Sequence, residues 1–132
     1  MKLGVDTNVL VRYLVSDDAV QSKQATAQIE AADIVFISTV VLCETVWVLQ
    51  RAYRYSSEEI VTAISAVVCS RNVETDRAAA EAGLGMLARG GDFADGVIEH
   101  QAAQARCDLL STFDAKFRQL LGPALSDRRS AR

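Results

Sequence analysis

The feature that most constrains this sequence is the alternation of short apolar segments with segments of helical periodicity. The chain opens with a strand-like segment at 2–6, and a helix is predicted over 7–15. Further strands are predicted at 33–38, at 72–74 and at 108–112, each followed by helical sequence. Strands that alternate with helices in this way form parallel sheets with helices on both faces. The sequence therefore predicts an α/β fold with a central parallel sheet of roughly four to five strands.

The predicted helices differ in how much apolar surface they carry. The helix at 39–53 has apolar residues on nearly every side, so we expect it to be buried. Ser56 precedes the next helix, which ends near Cys69, and has the capping-box spacing to Glu59. The continuous apolar run at 33–38 is typical of a strand covered on both faces. The other helices are predicted over 19–31, up to Arg89, from about Asp92 to Arg106, and over 115–120.

Length and composition are those of one globular domain. The chain has 132 residues, of which 50% are hydrophobic and 23% charged, and this is enough to build an ordinary core. We expect the domain to occupy residues 1–125 and the polar tail at 126–132 to be frayed. No apolar run approaches the roughly 18 residues that span a bilayer and no signal peptide is recognisable, so a cytoplasmic protein is predicted. The three cysteines form no C-x-x-C pair, which favours neither a disulfide framework nor a zinc site.

Four carboxylates stand where α/β folds place their functional sites. Asp6 ends the first predicted strand and Asp114 follows the last one, and parallel strands bring such ends to one edge of a sheet. Glu44 lies in the apolar third helix, and Asp95 lies in the first turn of a later helix. Each acid also has an ordinary structural interpretation. Asp6 and Asp114 could be helix caps, Glu44 an exposed charge, and Asp95 a complement to the helix dipole.

The surroundings of these acids favour a functional interpretation. Val40 and Trp47 lie within one turn of Glu44, so a solvated Glu44 would require large apolar groups to be exposed beside it. Asp92 lies three residues before Asp95, as a cap or an outer partner of the site. Four carboxylates at one sheet edge need cations, and oxygen ligands without clustered His or Cys favour Mg²⁺ or Mn²⁺. Two such ions about 4 Å apart can activate water for attack on a phosphodiester, which is nuclease chemistry.

Neither the net charge nor the single histidine argues against this chemistry. The net charge of −3 would normally disfavour nucleic acid. Bound cations would neutralise the acids and let nearby arginines attract phosphates, so the charge does not exclude an RNA partner. His100 is predicted to face solvent without a catalytic role, because a metal-activated water needs no imidazole base.

The segments that carry the acids resemble the PIN-domain ribonucleases, and within them the toxin subunits of VapBC type II toxin–antitoxin systems. The matching segments are Val5-Asp6-Thr7-Asn8-Val9-Leu10, Ser38-Thr39-Val40-Val41-Leu42-Cys43-Glu44, Asp92-Phe93-Ala94-Asp95-Gly96-Val97-Ile98 and Leu110-Ser111-Thr112-Phe113-Asp114-Ala115-Lys116-Phe117. They occur in the order of the family, within about residues 1–120. The resemblance implies a PIN fold and a Mg²⁺- or Mn²⁺-dependent endoribonuclease. It also implies a protein that is often a homodimer and is silenced by a cognate antitoxin protein.

Carried over position by position, the resemblance assigns roles to particular residues. It implies that the catalytic and metal-binding acids are Asp6, Glu44, Asp95 and Asp114. Supporting positions are Asn8, Asp92 and Thr112. The sequence departs from the family at Gly96, where an alanine is usual, and this should cost about 1 kcal/mol of helix stability. Family members usually add a short apolar strand after the last helix, whereas Leu121-Gly122-Pro123-Ala124-Leu125 leads straight into a charged tail here.

Two surfaces are hypothesised around the acids. A phosphate-facing rim would consist of basic residues near the segments of Glu44 and Asp114, namely Arg51, Arg54, Lys116 and Arg118, with solvated surface charges as the alternative. An apolar groove for self-association or an antitoxin helix would use Tyr13, Trp47, Leu49, Tyr53 and Tyr55, with burial in the core as the alternative.

Other functions remain open at this point. A PIN nuclease could act in RNA processing without a toxin role. A non-catalytic, Mg²⁺-binding receiver-like module would also have an acidic sheet edge. It fits poorly, because a receiver needs an adjacent acidic pair after the first strand and Thr7-Asn8 follows Asp6 here. Asn8 likewise excludes an Asp-x-Asp phosphotransferase at this position.

Overall fold

A computed structural model describes residues 1–123 and 125, which form three strands and seven helices. The strands are β1 (Lys2–Gly4), β2 (Ile34–Phe36) and β3 (Val73–Glu74). The helices are α1 (Thr7–Leu14), α2 (Ala19–Ala31), α3 (Thr39–Arg51), α4 (Ser57–Val68), α5 (Arg77–Ala88), α6 (Phe93–Gln104) and α7 (Ala115–Leu120). The described residues make two compact units, one up to Arg77 and one from Ala78 onward. The predicted α/β class with a parallel sheet is confirmed.

The first unit contains the whole sheet. Its strands are parallel in the order β1-β2-β3, and Leu3, Val35 and Val73 are paired across it. Helices α1 and α2 connect β1 to β2, and α3 and α4 connect β2 to β3. Val35 and Ile37 are buried, whereas Ile34 and Phe36 on the other side of β2 are 40% and 42% exposed. The burial expected on both faces of this strand is therefore complete on one face only.

Polar side chains define where the helices of the first unit begin. An oxygen of the residue before each helix accepts a backbone N–H of the first turn, which satisfies a donor that the helix itself leaves unpaired. These caps are Asp6 for α1, Asp18 for α2, Ser38 for α3 and Ser56 for α4. The capping box predicted for Ser56 and Glu59 is confirmed in both of its hydrogen bonds.

Helix α3 is not buried on all sides as expected. Its buried stripe consists of Leu42, Thr45, Val46 and Leu49. Val40 is 67% exposed and Trp47 is 60% exposed on the other side of the helix. A helix that packs through one stripe leaves the opposite residues in solvent, whatever their polarity. The prediction that the whole helix is buried was therefore wrong.

Close helix packing shapes the second unit. A Cβ atom on Gly96 of α6 would lie 2.3 Å from the carbonyl oxygen of Ala82 and 2.7 Å from Cβ of Met86, both in α5. Likewise, the ring of Phe93 lies 2.7 Å from the position that a Cβ on Gly83 would occupy. Glycines at these two positions let α5 and α6 approach closely. The departure from the family pattern at Gly96 thus has a packing reason.

The strand predicted at 108–112 is absent from the described residues, so the sheet has three strands instead of four or five. The backbone N–H of Leu110 donates to the carbonyl of Leu125, at 3.1 Å, instead of to a sheet partner. The Leu110 side chain packs against the cluster of Met86, Phe117 and Leu121. Packing of Leu110 against helices therefore replaces pairing in a sheet. The tail predicted to fray at 126–132 lies outside the described residues.

Neither a membrane-spanning helix nor a disulfide occurs in the part of the chain that the structure describes. Within residues 1–123 and 125, none of the helices combines the length and apolarity that crossing a bilayer requires. Cys43, Cys69 and Cys107 are free thiols, as the absence of paired spacing predicted. Cys43 is half-buried, and burial followed by the charge of Glu44 raises its thiol pKa.

Candidate functional site

Asp6 links the first strand of the sheet to the first helix. It is exposed at the N-cap of α1, and its Oδ1 accepts the backbone N–H of Val9 at 3.0 Å. The cap considered from the sequence is therefore present. It uses one carboxylate oxygen, so capping and ligand binding are compatible at this residue.

Glu44 is held beside Asp6 by a hydroxyl group. Thr7 Oγ1 donates to Glu44 Oε1 at 2.8 Å and so connects α1 to α3. Glu44 is exposed, contrary to the burial that its neighbours suggested, because Val40 and Trp47 are exposed as well. The two acids lie in one open cavity of about 500 Å³ that is lined by Asp6, Thr7, Asn8, Glu44, Trp47 and Val48. The sequence did not identify Thr7 as part of the site, although a hydroxyl directly after Asp6 was a usable signal.

A second cavity adjoins Asp6 and Asn8. Its volume is about 430 Å³, and it is lined by Asp6, Asn8, Val9, Arg12, Gln21, Gln24, Ala25 and Gln28. Arg12 was not predicted to take part in any site. Its guanidinium donates to Asp17 at 2.8 Å and to the Tyr53 hydroxyl at 3.1 Å. Amide side chains and Arg12 thus share the lining of this cavity with Asp6.

Asp95 has a different environment in the second unit. It lies in the first turn of α6 and is half-buried, between the buried residues Phe93 and Val97. Burial, and then the negative charges of Asp92 and Asp114, raise the pKa of the Asp95 carboxyl above its usual range. The three acids predicted in this part of the chain therefore interact electrostatically.

Asp114 is fixed at the start of α7. Its Oδ1 accepts the backbone N–H groups of Lys116 at 2.9 Å and Phe117 at 3.1 Å, so the cap considered from the sequence is present. Thr112 Oγ1 accepts the backbone N–H of Asp114 at 3.0 Å, which braces the turn before the helix. Asp92 stands at the N-cap of α6, but its side chain makes no capping hydrogen bond. Its carboxylate therefore takes no part in holding the helix end.

The residues of the hypothesised basic rim and aromatic groove differ in exposure and in hydrogen bonding. Arg51, Arg54 and Lys116 are exposed, whereas Arg118 Nη2 donates to the carbonyl of Thr112 at 2.6 Å. Leu49 is fully buried. The Tyr53 hydroxyl donates to Asp17 at 2.7 Å. The predicted groove therefore lacks Leu49.

His100 differs from its predicted place in solvent. Its Nε2 atom is buried, and no hydrogen-bond partner for it occurs in the part of the chain that the structure describes. It lies beside a cavity of about 240 Å³ in the second unit, together with Glu99 and Ala103. The imidazole of His100 is therefore partly buried and does not face solvent as predicted.

The acids are suited in chemistry to a divalent cation. Among residues 1–123 and 125, no three His, Cys, Asp or Glu side chains are close enough together to form a metal-binding group. The donor types nevertheless fit a hard ion, because Asp6, Glu44, Asp95 and Asp114 offer only carboxylate oxygens. The half-buried Asp95 beside like charges is also an arrangement that a bound cation would stabilise.

Comparisons with known proteins connect the chain to a family. A sequence model of the PIN domain matches residues 4–121 of the chain. A search of curated proteins gave no match. Among solved structures, the chain is similar to the crystal structure of VapC20 from Mycobacterium tuberculosis, a toxin that cleaves the sarcin-ricin loop. The two share 21% identity with a TM-score of 0.44, over 89% of this chain and 93% of that chain.

Proposed function

The chain belongs to the PIN domain family, whose members are nucleases, and on this premise we propose that it is a metal-dependent endoribonuclease. It hydrolyses phosphodiester bonds of RNA with Mg²⁺ or Mn²⁺ as the cofactor. The observation that carries the proposal is the open cavity in which Asp6 and Glu44 lie together with Thr7 and Asn8. Such a cavity is open to a phosphate from solvent and presents oxygen ligands to a cation that would bind the phosphate.

The residues of the chain have distinct tasks in this proposal. Asp6, Glu44, Asp95 and Asp114 hold the cation. Thr7 keeps Glu44 in one orientation through its 2.8 Å hydrogen bond. Thr112 fixes the turn that carries Asp114. When bound, a divalent cation would supply the positive charge that activates water and stabilises the leaving oxygen.

Asn8 and Asp92 complete the proposed site without holding the cation. Asn8 lines both cavities beside Asp6, and its neutral amide can hydrogen-bond to the substrate without adding charge. The negative charge of Asp92 makes the electrostatic potential at Asp95 more negative. A more negative potential favours a cation there.

Cleavage of RNA by the purified chain tests the proposal. RNA should be cut internally when Mg²⁺ or Mn²⁺ is added, and cutting should stop when a chelator removes the ion. A labelled RNA resolved on a denaturing gel distinguishes internal cutting from trimming of the ends. Intact RNA in the presence of either ion would reject the nuclease function.

The basic rim is proposed to attract the RNA backbone. Arg51, Arg54 and Lys116 are exposed and available to phosphates, whereas Arg118 is already bonded to the Thr112 carbonyl. Replacing the first three by glutamine should weaken RNA binding. The slope of log affinity against log salt should then flatten by about 0.7 for each phosphate contact removed. An unchanged slope would show that these residues are solvated surface charges.

We further propose that the nuclease is the toxin of a type II toxin–antitoxin pair. The support is the resemblance of its four acidic segments to VapBC toxin subunits. Its partners would be RNA, a cognate antitoxin protein and a second copy of the chain. The exposed apolar side chains of Ile34, Phe36 and Ile98 are suited to protein contacts.

Growth of a bacterial host separates the toxin from an RNA-processing enzyme. Induced expression should arrest growth, and Asp95→Asn should relieve the arrest. A small protein encoded beside the chain should bind it and block cleavage, and light scattering should show a dimer. Normal growth and a strict monomer at tens of micromolar would favour a nuclease in RNA processing.

A further inference from the structure

Trp47 is the only tryptophan of the chain, and it is largely exposed. The side chain is 60% exposed to solvent, although indole burial is among the most favourable that a side chain offers. Trp47 lies three residues after Glu44 on α3 and lines the same cavity as Asp6 and Glu44. A large aromatic face is therefore open to solvent beside the proposed catalytic acids.

The geometry of α3 prevents Trp47 from turning inward. The adjacent residues Thr45 and Val46 are fully or almost fully buried, and so is Leu49 two positions later. Burying Trp47 by rotating the helix would expose this stripe and lose more apolar contact than it gained. Trp47 therefore stays in the cavity wall because the rest of the helix is anchored.

We propose that Trp47 is the stacking platform for an unpaired nucleobase of the RNA substrate. The inference rests on the proposed nuclease function and extends it to a residue that contacts the substrate base. A nucleotide joins a flat aromatic base to an anionic phosphate. The cavity offers an indole face and a pair of carboxylates suited to a cation that binds phosphate. Its volume of about 500 Å³ is in the range of ligand pockets.

The composition of the cavity favours RNA over a protein partner. Four of its six lining residues are polar or acidic, namely Asp6, Thr7, Asn8 and Glu44. Charged residues are depleted at the centres of protein interfaces, where Trp is otherwise favoured. Bases, by contrast, stack on aromatic side chains beside the groove that holds the phosphate backbone, and do so with any sequence. The position of Trp47 next to Glu44 is thus better suited to a base than to an apolar helix.

The single tryptophan makes the test direct, because indole fluorescence reports this residue alone. The probes are single-stranded RNA oligonucleotides, the same oligonucleotides with abasic sites, and double-stranded RNA, each added to the Asp95→Asn variant. That variant leaves the Trp47 cavity unchanged and is expected not to cut the probe. Single-stranded RNA should quench the fluorescence strongly, while the abasic and duplex probes should quench it weakly. Equal quenching by the abasic probe would overturn the stacking.

Kinetics of Trp47 variants provide a second readout in the wild-type background. Trp47→Leu should raise KM for single-stranded RNA about tenfold, because it removes one stacked base. It should leave kcat nearly unchanged, because the lost contact binds substrate and transition state alike. Trp47→Phe should recover most of the affinity, since it restores an aromatic face. Val20→Ala removes another exposed apolar side chain, in α2, and should change neither constant.

The outcomes separate this inference from the function on which it rests. Cleavage with an unchanged KM in Trp47→Leu, and no quenching, would overturn the stacking while leaving the nuclease intact. Loss of dimerisation in Trp47→Leu with an unchanged KM would assign Trp47 to a protein interface and likewise overturn it. If the wild-type chain cuts no RNA, the proposed function fails. The fluorescence titration then still decides whether bases stack on Trp47.

Discussion

Asp95 in the second unit stands in a different environment from the two acids of the first unit. In the first unit, Asp6 and Glu44 are exposed, and each accepts a hydrogen bond that fixes its direction. In the second unit, Asp95 is half-buried, and burial together with neighbouring negative charges raises its pKa. Hydrogen bonds thus fix the orientation of Asp6 and Glu44. Burial and neighbouring negative charges instead disfavour the ionised form of Asp95.

This difference has consequences for stability and for ligand binding. A solvated, hydrogen-bonded carboxylate adds little strain to the free protein, so neutralising it changes folding little. A half-buried carboxylate among like charges destabilises the free protein and is relieved by a cation. Substitutions that act alike on cleavage should therefore act differently on folding.

The largest effect is expected on cleavage and should be the same in both units. Asp6→Asn and Asp95→Asn should each reduce the rate of RNA cleavage at least about 100-fold, because removing even an outer partner of a metal site costs 10- to 100-fold. Single-turnover cleavage with Mn²⁺ measures this. Asp18→Asn is the matched control, since Asp18 caps α2 as Asp6 caps α1. Full activity of either variant would remove that acid from the site.

The next effect concerns the packing that positions Asp95. Gly96→Ala should destabilise the protein by about 2 kcal/mol, because its Cβ would meet a backbone oxygen at 2.3 Å. That cost exceeds the gain in helix propensity of about 1 kcal/mol. Gly85→Ala in α5 is the control. No atom lies within 4 Å of its added Cβ, so only the gain should appear. Urea denaturation measures both, and a stabilised Gly96→Ala would contradict the close packing of α6.

Features set by local sequence could be predicted. The capping box of Ser56 and Glu59, the limits of α2 and the caps at Asp6 and Asp114 depend on residues within one helical turn. The parallel sheet followed from the alternation of strand and helix. The candidate acids could be chosen because they follow strands or begin helices, which is a property of order along the chain.

Features set by tertiary packing could not be predicted. Helix α3 is apolar around most of its circumference, so the sequence could not show that Val40 and Trp47 face solvent. The segment at 108–112 is apolar enough for a strand, but a strand also needs a partner, and Leu110 instead packs on helices. The role of Gly96 was invisible because it depends on Ala82, which lies 14 positions earlier in the sequence.

A smaller effect tests whether the hydrogen bond that orients Glu44 in the first unit supports cleavage. Thr7→Val keeps the shape of the side chain but removes the donor to Glu44, so cleavage should slow about tenfold, as for other residues that orient a metal ligand. Thr7→Ser should restore most of the rate. Thr62→Val in α4 loses a comparable hydroxyl bond, to the carbonyl of Glu58, and should leave cleavage unchanged. An equal loss in both variants would show a general effect of hydroxyl removal.

The smallest effect tests whether the ionised form of Asp95 destabilises the free protein. Because folding raises the pKa of Asp95, its contribution to stability is complete below the unfolded pKa of about 4. It is lost as the pH rises through the folded-state pKa. Asp95→Asn cannot titrate, so it should be more stable than wild type by roughly 0.5 kcal/mol at neutral pH, after allowance for screening by solvent. This advantage should shrink as the pH approaches about 4.

Asp6→Asn provides the contrast within the same measurement. Asn caps a helix about as well as Asp does, so this variant should match wild type in stability at neutral pH. Urea denaturation of the three proteins in the absence of divalent cations, at neutral and at acidic pH, gives the two differences. Equal stability of Asp95→Asn and wild type at neutral pH would mean that the charge on Asp95 does not destabilise the metal-free protein. A matching gain in stability in Asp6→Asn would mean that repulsion among acids also acts in the first unit. The contrast between Asp95 and the acids of the first unit would then be wrong.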